Sequence, residues 1–273
     1  MIRDITIGQY YPAKSVIHKL DPRTKLFGTL VFIISVFLFH SIAGYAVATV
    51  FLAGMILIST VPVKFIFKGL KAIFMILLIT MVFNIFLTPG EALVSFGIFK
   101  ITKEGLSMAV RMAIRLVYLV IGSSLMTLTT TPNQLTDGLE KSLRPLNKIH
   151  VPVHEIAMIM SIALRFIPIL LEETDKIMKA QIARGADLES GNMIQKAKSM
   201  IPILVPLFVS AFRRANDLAM AMEARCYRGG EGRTKMKPLK YHKEDRIAYI
   251  TVIAYVILVV VIGRCVPVHI WVF

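Results

Sequence analysis

Two short motifs in this chain place an arginine directly after an alanine at the end of a long amphipathic stretch. The first is Ala183-Arg184-Gly185 and the second is Ala224-Arg225-Cys226, with the two arginines 41 residues apart. A guanidinium group can donate two parallel hydrogen bonds to a carboxylate, and a neighbouring alanine leaves room for close approach. At a helix C-terminus the cation also meets the favourable end of the helix dipole. These motifs therefore predict docking into a carboxylate-lined groove of a soluble partner.

Each motif closes a segment with the same layout, namely an apolar start, an internal proline, a charged second half and then Ala-Arg. The first copy runs from about residue 153 to 185 and contains Pro168, and the second runs from about 192 to 225 and contains Pro202 and Pro206. Proline removes a backbone donor from a helix and commonly bends it. We therefore expect two amphipathic helices, each kinked at its prolines.

The second copy differs from the first in its last residue. Glycine is the usual left-handed residue that ends a helix, and cysteine adopts this conformation poorly. We therefore expect the second helix to continue to Gly229-Gly230, with Cys226 packed rather than reactive. Small residues in the same helix also predict that it crosses the first at close range, and these are Ala211, Ala215 and Ala219.

The rest of the chain has the composition of an integral membrane protein. Hydrophobic residues make up 56% of its 273 residues, and the mean hydropathy is +0.68. Residues 26–60 carry no charge and are interpreted as two short spans, while 70–87, 106–130 and 247–262 supply three more. The predicted fold class is therefore all-α, a polytopic membrane protein with about five transmembrane helices plus long amphipathic cytoplasmic helices.

The net charge of +15 is a topology signal rather than a sign of nucleic-acid binding. Segments 1–25, 61–71 and 132–246 are basic, whereas the loop 88–105 balances its charges. Because basic loops stay in the cytoplasm, we expect the N-terminus and 132–246 to be cytoplasmic. The expected domains are a membrane domain over 1–130 with spans 1–4, a cytoplasmic domain over 131–246, and a last transmembrane span over 247–273.

Two arginines fall inside the early part of the fourth span, one helical turn apart. A lipid-facing charge at Arg111 or Arg115 would cost a few kcal/mol. We therefore expect both side chains to face protein, the membrane interface or a wet cavity, with snorkelling to the headgroups as the alternative.

Motifs for catalysis are missing from the sequence. It contains no Gly-x-x-x-x-Gly-Lys-Ser/Thr, His-Glu-x-x-His or Gly-x-Ser-x-Gly motif, and the glycines at 229–232 lack the lysine of a phosphate loop. Cys226 and Cys265 match no metal or redox spacing. We expect a non-catalytic protein that binds no metal or cofactor directly.

In their order along the chain, these features resemble the transmembrane component of energy-coupling factor (ECF) transporters, the EcfT or CbiQ family. Residues 20–26 (Leu-Asp-Pro-Arg-Thr-Lys-Leu) resemble the opening of the family, and Thr130-Thr131-Pro132 precedes its first coupling helix. Residues 163–168 with 180–185 resemble the second coupling helix, and 221–225 the third. The resemblance covers nearly the whole chain.

The resemblance implies a coupling subunit between two cytoplasmic ABC-type ATPases and a small substrate-binding membrane (S) subunit that captures a vitamin or metal ion. ATP and Mg would be used by the ATPases, and the only other implied partner is the lipid bilayer. Ala183, Arg184 and Gly185 would dock on one ATPase, and Ala224 and Arg225 on the other. The chain would lie in the cell membrane of a prokaryote, and its kinked helices would pass motion to the S subunit.

Three other interpretations are possible on sequence alone. A conventional ABC permease would dock its ATPases through one short loop, and the two long helices speak against that. A small membrane enzyme lacks the necessary motifs. A purely structural membrane scaffold is the alternative that the sequence excludes least.

Overall fold

The computed structural model describes residues 10–38, 41–96, 99–186, 192–230, 236 and 238–265. Helices dominate this part of the chain, which confirms the predicted all-α class. In chain order they are α1 (Val16–Lys19), α2 (Pro22–Leu38), α3 (Ile42–Ser59), α4 (Val63–Leu87), α5 (Lys103–Thr129), α6 (Pro132–Leu143), α7 (Val153–Ala183), α8 (Met193–Ala224) and α9 (Lys243–Cys265). A 3-10 turn, Arg144–Ile149, follows α6.

The loop between α4 and α5 contains the one sheet among the described residues. Strands β1 (Ala92–Phe96) and β2 (Phe99–Thr102) pair antiparallel, with Phe96 opposite Phe99 and an irregularity between Ala92 and Val94. This hairpin was not predicted from the sequence. The hairpin is too small to change the fold class.

Five helices in the described chain are long and apolar enough to cross a membrane, and they are α3, α5, α7, α8 and α9. Helix α4 adds a sixth candidate made of two segments that meet at a bend of 56°. The basic residues Lys64, Lys68 and Lys71 thus lie in the first segment of this helix, Val63–Lys71. Helix α2, a predicted span, has 17 residues and is shorter than each of these five helices. Helices α7 and α8 also qualify because their first halves are apolar, and their predicted cytoplasmic placement stays a prediction.

Contacts divide the described chain into two compact units. One contains residues 139–238, and the other contains residues up to 138 together with those from 239 onward. The first boundary falls within α6, between Gly138 and Leu139. The domains predicted from charge, 1–130, 131–246 and 247–273, rest on a different criterion and stay predictions.

The core of the second unit is built where α2, α3, α5 and α9 pack together. Phe32 and Val36 of α2 are buried against Tyr255 and Val259 of α9 and against apolar residues of α3. The Tyr255 hydroxyl forms a 2.9 Å hydrogen bond with the Ser35 hydroxyl, so this polar atom is satisfied within an apolar cluster. The helices therefore form a packed bundle that also contains internal polar pairs, and a second one joins Thr49 of α3 to Tyr118 of α5.

The N-terminal ends of α2 and α9 in this unit share one buried carboxylate. Asp245 is fully buried, and its Oδ1 accepts a 2.8 Å hydrogen bond from the backbone N–H of Asp21, just before α2. Its Oδ2 accepts a second 2.8 Å bond from the backbone N–H of His242, just before α9. Backbone donors at helix starts have no partner within the helix. Asp245 supplies that partner for both helices.

Asp21 and Lys25 extend this cluster in both directions. Arg23 binds both Asp21 carboxylate oxygens, at 3.0 and 2.8 Å, and lies over the Tyr241 ring. Burial opposes ionisation of Asp21, but the Arg23 hydrogen bonds outweigh it and hold the pKa of Asp21 below its ordinary value. Lys25 Nζ donates to the backbone carbonyl of Thr129, the last residue of α5, at 2.7 Å. The sequence 20–26 is therefore a structural junction of three helix ends.

Replacing Asp245 by asparagine tests this junction. One carboxylate oxygen becomes an amide NH₂ group, which then faces one of the two backbone N–H donors. We expect Asp245→Asn to lower the free energy of unfolding in mixed micelles by about 1–3 kcal/mol. Glu244→Gln, an equivalent change at the exposed neighbouring position, is the control. Equal stabilities of the two variants would contradict the junction.

Candidate docking site at the ends of two helices

Helix α7 ends in a C-cap that closes the backbone on itself. Arg184 is the C-cap residue, and Gly185 follows in the left-handed conformation with φ +88°. The Gly185 N–H donates to the Ile182 carbonyl at 2.9 Å, and the Ala186 N–H donates to the Gln181 carbonyl at 3.0 Å. This pair of bonds is the Schellman motif, which satisfies carbonyls left open at a helix end.

Helix α8 ends in the same way, so the expectation that it continues to Gly229-Gly230 was wrong. Arg225 is the C-cap, and Cys226 is left-handed with φ +53°. The Cys226 N–H donates to Glu223 at 2.8 Å, and the Tyr227 N–H donates to Met222 at 3.0 Å. These two hydrogen bonds hold cysteine in the place of glycine. Cys226 is also exposed and not packed.

Both arginine ends are open to solvent. Ala183, Arg184 and Gly185 are exposed at the first end, and Ala224 and Arg225 are exposed at the second. No ion pair among the described residues uses either guanidinium. Because the cap bonds are made by backbone atoms alone, each arginine side chain is available to a carboxylate of another molecule.

The three prolines lie inside helices that continue through them. Pro168 is within α7, and Pro202 and Pro206 are within α8. Pro206 has no N–H to donate to the carbonyl of Pro202, one turn earlier. That carbonyl accepts a 3.1 Å bond from the side-chain amide of Gln181 in α7. The prolines thus create an acceptor that joins the two helices, and the kinks themselves stay predictions.

Helices α7 and α8 run antiparallel, as their contacts show. Gln181 near the end of α7 meets Pro202 in the first part of α8, and Glu173, earlier in α7, meets Arg214, later in α8. Arg184 therefore lies beside the first part of α8, and Arg225 lies at its far end. At 1.5 Å per residue, the part of α8 between Pro202 and Arg225 is roughly 35 Å long. The two arginines belong to opposite ends of the pair.

The small residues expected where α8 crosses α7 are only partly on the side of α8 that is less exposed. Ala211 lies on the less exposed face of α8, whereas Ala215 and Ala219 are exposed. Gln181, Glu173 and Arg214 make polar contacts between these helices and were not predicted from the sequence. The spacing of Pro202 and Pro206 could have predicted that the Pro202 carbonyl needs a donor such as Gln181. A proline one turn after a residue leaves the carbonyl of that residue without its helical donor.

The same two helices expose large apolar side chains over much of their length. Exposed apolar side chains in this number are unusual on a surface that faces water, and such a surface marks a site for lipid or for another protein. Its members include Ile159 in α7 and Phe208 and Phe212 in α8, each more than half exposed.

The remaining sites proposed from sequence lie in the other unit. Arg115 is half-buried, with its guanidinium over the Phe37 ring of α2, and Arg111 is half-buried with Ser107 as one partner. Both positions agree with the expectation that these charges do not face lipid alone. Among the described residues, no group of three His, Cys, Asp or Glu side chains could hold a metal ion.

A matched pair of substitutions tests the two helix caps. We expect Cys226→Gly to raise the free energy of unfolding by about 1 kcal/mol, because glycine adopts the left-handed conformation without the Cβ penalty. We expect Gly185→Ala to lower it by about the same amount, since a Cβ there meets open space and only the backbone conformation is strained. Unfolding in mixed micelles, followed by circular dichroism, measures both. Shifts of the same sign would contradict the shared cap geometry.

Comparison with known proteins identifies the family. The CbiQ family, described as cobalt transport protein, matches residues 13–236. An energy-coupling factor transporter transmembrane protein EcfT from Clostridium kluyveri is 61% identical over 250 residues, which cover 91% of this chain and 93% of that protein. The proteins of the same name from Acidaminococcus fermentans and Bacillus subtilis are 50% identical over 98% of this chain and 100% of that protein, and 48% identical over 93% and 96%. The chain therefore belongs to the EcfT/CbiQ family of ECF transporter transmembrane proteins.

Proposed function

We propose that this chain is the coupling subunit of an ECF-type importer, in which two cytoplasmic ABC-type ATPases drive uptake through a separate S subunit. The carrying observation is the pair of matching helix ends, each with an exposed arginine held by the same backbone cap. Two equivalent docks at opposite ends of one helix pair suit two ATPase subunits. The chain itself carries out no catalysis under this proposal, and ATP with Mg is used by the ATPases.

The docks consist of Ala183, Arg184 and Gly185 for one ATPase and Ala224 and Arg225 for the other. Each guanidinium would form a bidentate, charge-assisted pair with an acidic groove, and the small alanine would let the surfaces meet. The cap fixes the backbone before binding, so less conformational entropy is lost on docking.

The apolar sides of α7 and α8 are the surface proposed for the S subunit. Ile159, Phe208 and Phe212 are exposed in this chain, and an apolar membrane partner would cover them. Bends at Pro168, Pro202 and Pro206 would let the charged and apolar halves of each helix transmit nucleotide-driven motion. For such motion, ATP binding must favour one arrangement of the helices over another.

We further propose that the chain lies in the prokaryotic cell membrane with its N-terminus and residues 132–246 in the cytoplasm. The distribution of Lys and Arg supports this orientation. It places both docks on the side where ATP is available. A structural scaffold or a conventional permease would not require two matching arginine ends.

The docks are tested by removing the arginines. We expect Arg184→Ala and Arg225→Ala each to weaken co-purification of the ATPases, and the double variant to lose it while still inserting in the membrane. Truncating one partner of a desolvated charge pair costs about 2–5 kcal/mol. Lysine at either position should recover binding only in part, because its ammonium group cannot donate the two parallel hydrogen bonds of a guanidinium group.

Arg228→Ala is the matched control, because Arg228 is an exposed arginine just beyond the second cap. It should leave ATPase binding unchanged. A double alanine variant that retains both ATPases as the parent does would show that the two arginines are ordinary solvated helix ends.

Orientation is tested by cysteine labelling in a variant with both native cysteines replaced by serine. Met236 is fully exposed, so Met236→Cys should react with an impermeant maleimide only after the cells are permeabilised. Glu91→Cys, in the loop predicted to lie outside, should react in intact cells. Labelling of position 236 in intact cells would overturn the arrangement.

A further inference from the structure

One ion pair joins α7 to α8 at equivalent positions of the two repeated segments. Glu173 Oε2 accepts a hydrogen bond from Arg214 Nη2 at 3.1 Å, and the two side chains are 27% and 38% exposed. These residues are 41 apart, as are Arg184 and Arg225 at the two docks. Glu173 and Arg214 are therefore the same position in the two copies.

The two copies also turn the same face inward. At each of seven positions, the α7 residue and the α8 residue 41 places later are both buried or half-buried. The pairs are Ile162 and Ile203, Phe166 and Leu207, Ile169 and Ser210, Leu170 and Ala211, Glu173 and Arg214, Ile177 and Leu218, and Gln181 and Met222. A common face at a constant spacing indicates two copies of one helical unit.

Two copies that pack antiparallel through the same face are related by a local twofold axis. In such an interface, a residue on the axis meets its own equivalent. Glu173 meets Arg214, so the axis passes close to this pair. Identical residues at this position would place like charges together, whereas the chain carries opposite charges and gains an attraction.

We propose that Glu173 and Arg214 are positioning residues that set, at this local twofold axis, how the two docking helices meet and where the two arginine ends lie. The proposal rests on the docking function given above. The pair touches neither dock, since Arg184 and Arg225 each lie three turns of helix beyond it. A change in the crossing at the axis is enlarged at the ends of both helices.

The contact of Gln181 with the Pro202 carbonyl supports the same arrangement from one side of the axis. It fixes the end of α7 next to the first dock. No equivalent bond is possible from Met222, which occupies the Gln181 position in the second copy and has no N–H donor in its side chain. Of these two polar contacts, the axis pair is therefore the one that serves both docks equally.

Charge reversal in the complete complex tests the proposal. The chain, in nanodiscs with its S subunit, is titrated with the two ATPases, and spin labels at the exposed residues Glu155 and Met220 report the distance between α7 and α8. Glu173→Arg and Arg214→Glu should each weaken ATPase binding about tenfold and shift this distance. A lost half-exposed pair plus a like-charge contact is on the order of 1.4 kcal/mol, which is that tenfold change. The double reversal should recover both readouts.

The matched control is the preceding pair of positions, Glu172 and Arg213. They are also a glutamate and an arginine 41 residues apart, but both are exposed. Glu172→Arg and Arg213→Glu make the same changes of net charge and should leave binding and distance unchanged. A general effect of charge on ATPase binding would appear in these variants too.

The outcomes separate this inference from the function on which it depends. A parent chain that binds no ATPase would overturn the docking function. A parent that binds, with single reversals equal to the controls, would overturn the positioning role of the pair. A double reversal that stays as weak as the single ones would overturn it as well, because recovery is what an interaction between these two charges requires.

Discussion

Backbone groups at helix ends need hydrogen-bond partners, and in an apolar bundle water is scarce, so each end must be satisfied by the protein itself. In the unit that contains α2, α5 and α9, one buried carboxylate, Asp245, serves two helix starts, and Lys25 serves the end of α5. Helices α7 and α8 use a different solution. Their C-terminal ends close through backbone bonds alone, and this leaves the arginine side chains free for a partner. The bundle and the docking helices therefore satisfy the backbone groups at their helix ends in two different ways.

The repeat explains why the docks are alike, and the departures from the repeat explain how its two copies can differ. Gly185 and Cys226 occupy the same left-handed position, with φ values of +88° and +53°. Glu173 and Arg214 occupy another shared position with opposite charge. The change from glycine to cysteine at the cap alters the stability of the helix end, but the backbone follows the same path. Substitution at the axis changes repulsion into attraction, which identical copies of a charged residue could not achieve.

Local patterns in the sequence predicted those parts of the fold that depend on local physics. Charge-free runs indicated the apolar helices, and Ala-Arg marked the ends of α7 and α8. The role of Cys226 was mispredicted because intrinsic preference was given more weight than the two cap bonds that offset it. The bond from Asp21 to Asp245 joins residues 224 apart, and no local pattern carries that pairing. The hydrogen bond from Gln181 to Pro202 requires that two helices lie side by side. The prolines alone therefore suggested a kink and not a contact between helices.

The contrast between the polar ends and the apolar sides of α7 and α8 sets an order of assembly. An exposed guanidinium is well solvated and is stable in water until a carboxylate arrives. The exposed side chains of Phe208 and Phe212 are unfavourable in water, because exposed apolar surface associates with lipid or with another apolar surface. Lipid or a membrane partner must therefore cover the apolar sides of α7 and α8 as the chain is made, whereas the arginine ends can bind their partners later. Biogenesis would then proceed from the bilayer outward, and free chain without a cover would be the form that a cell removes.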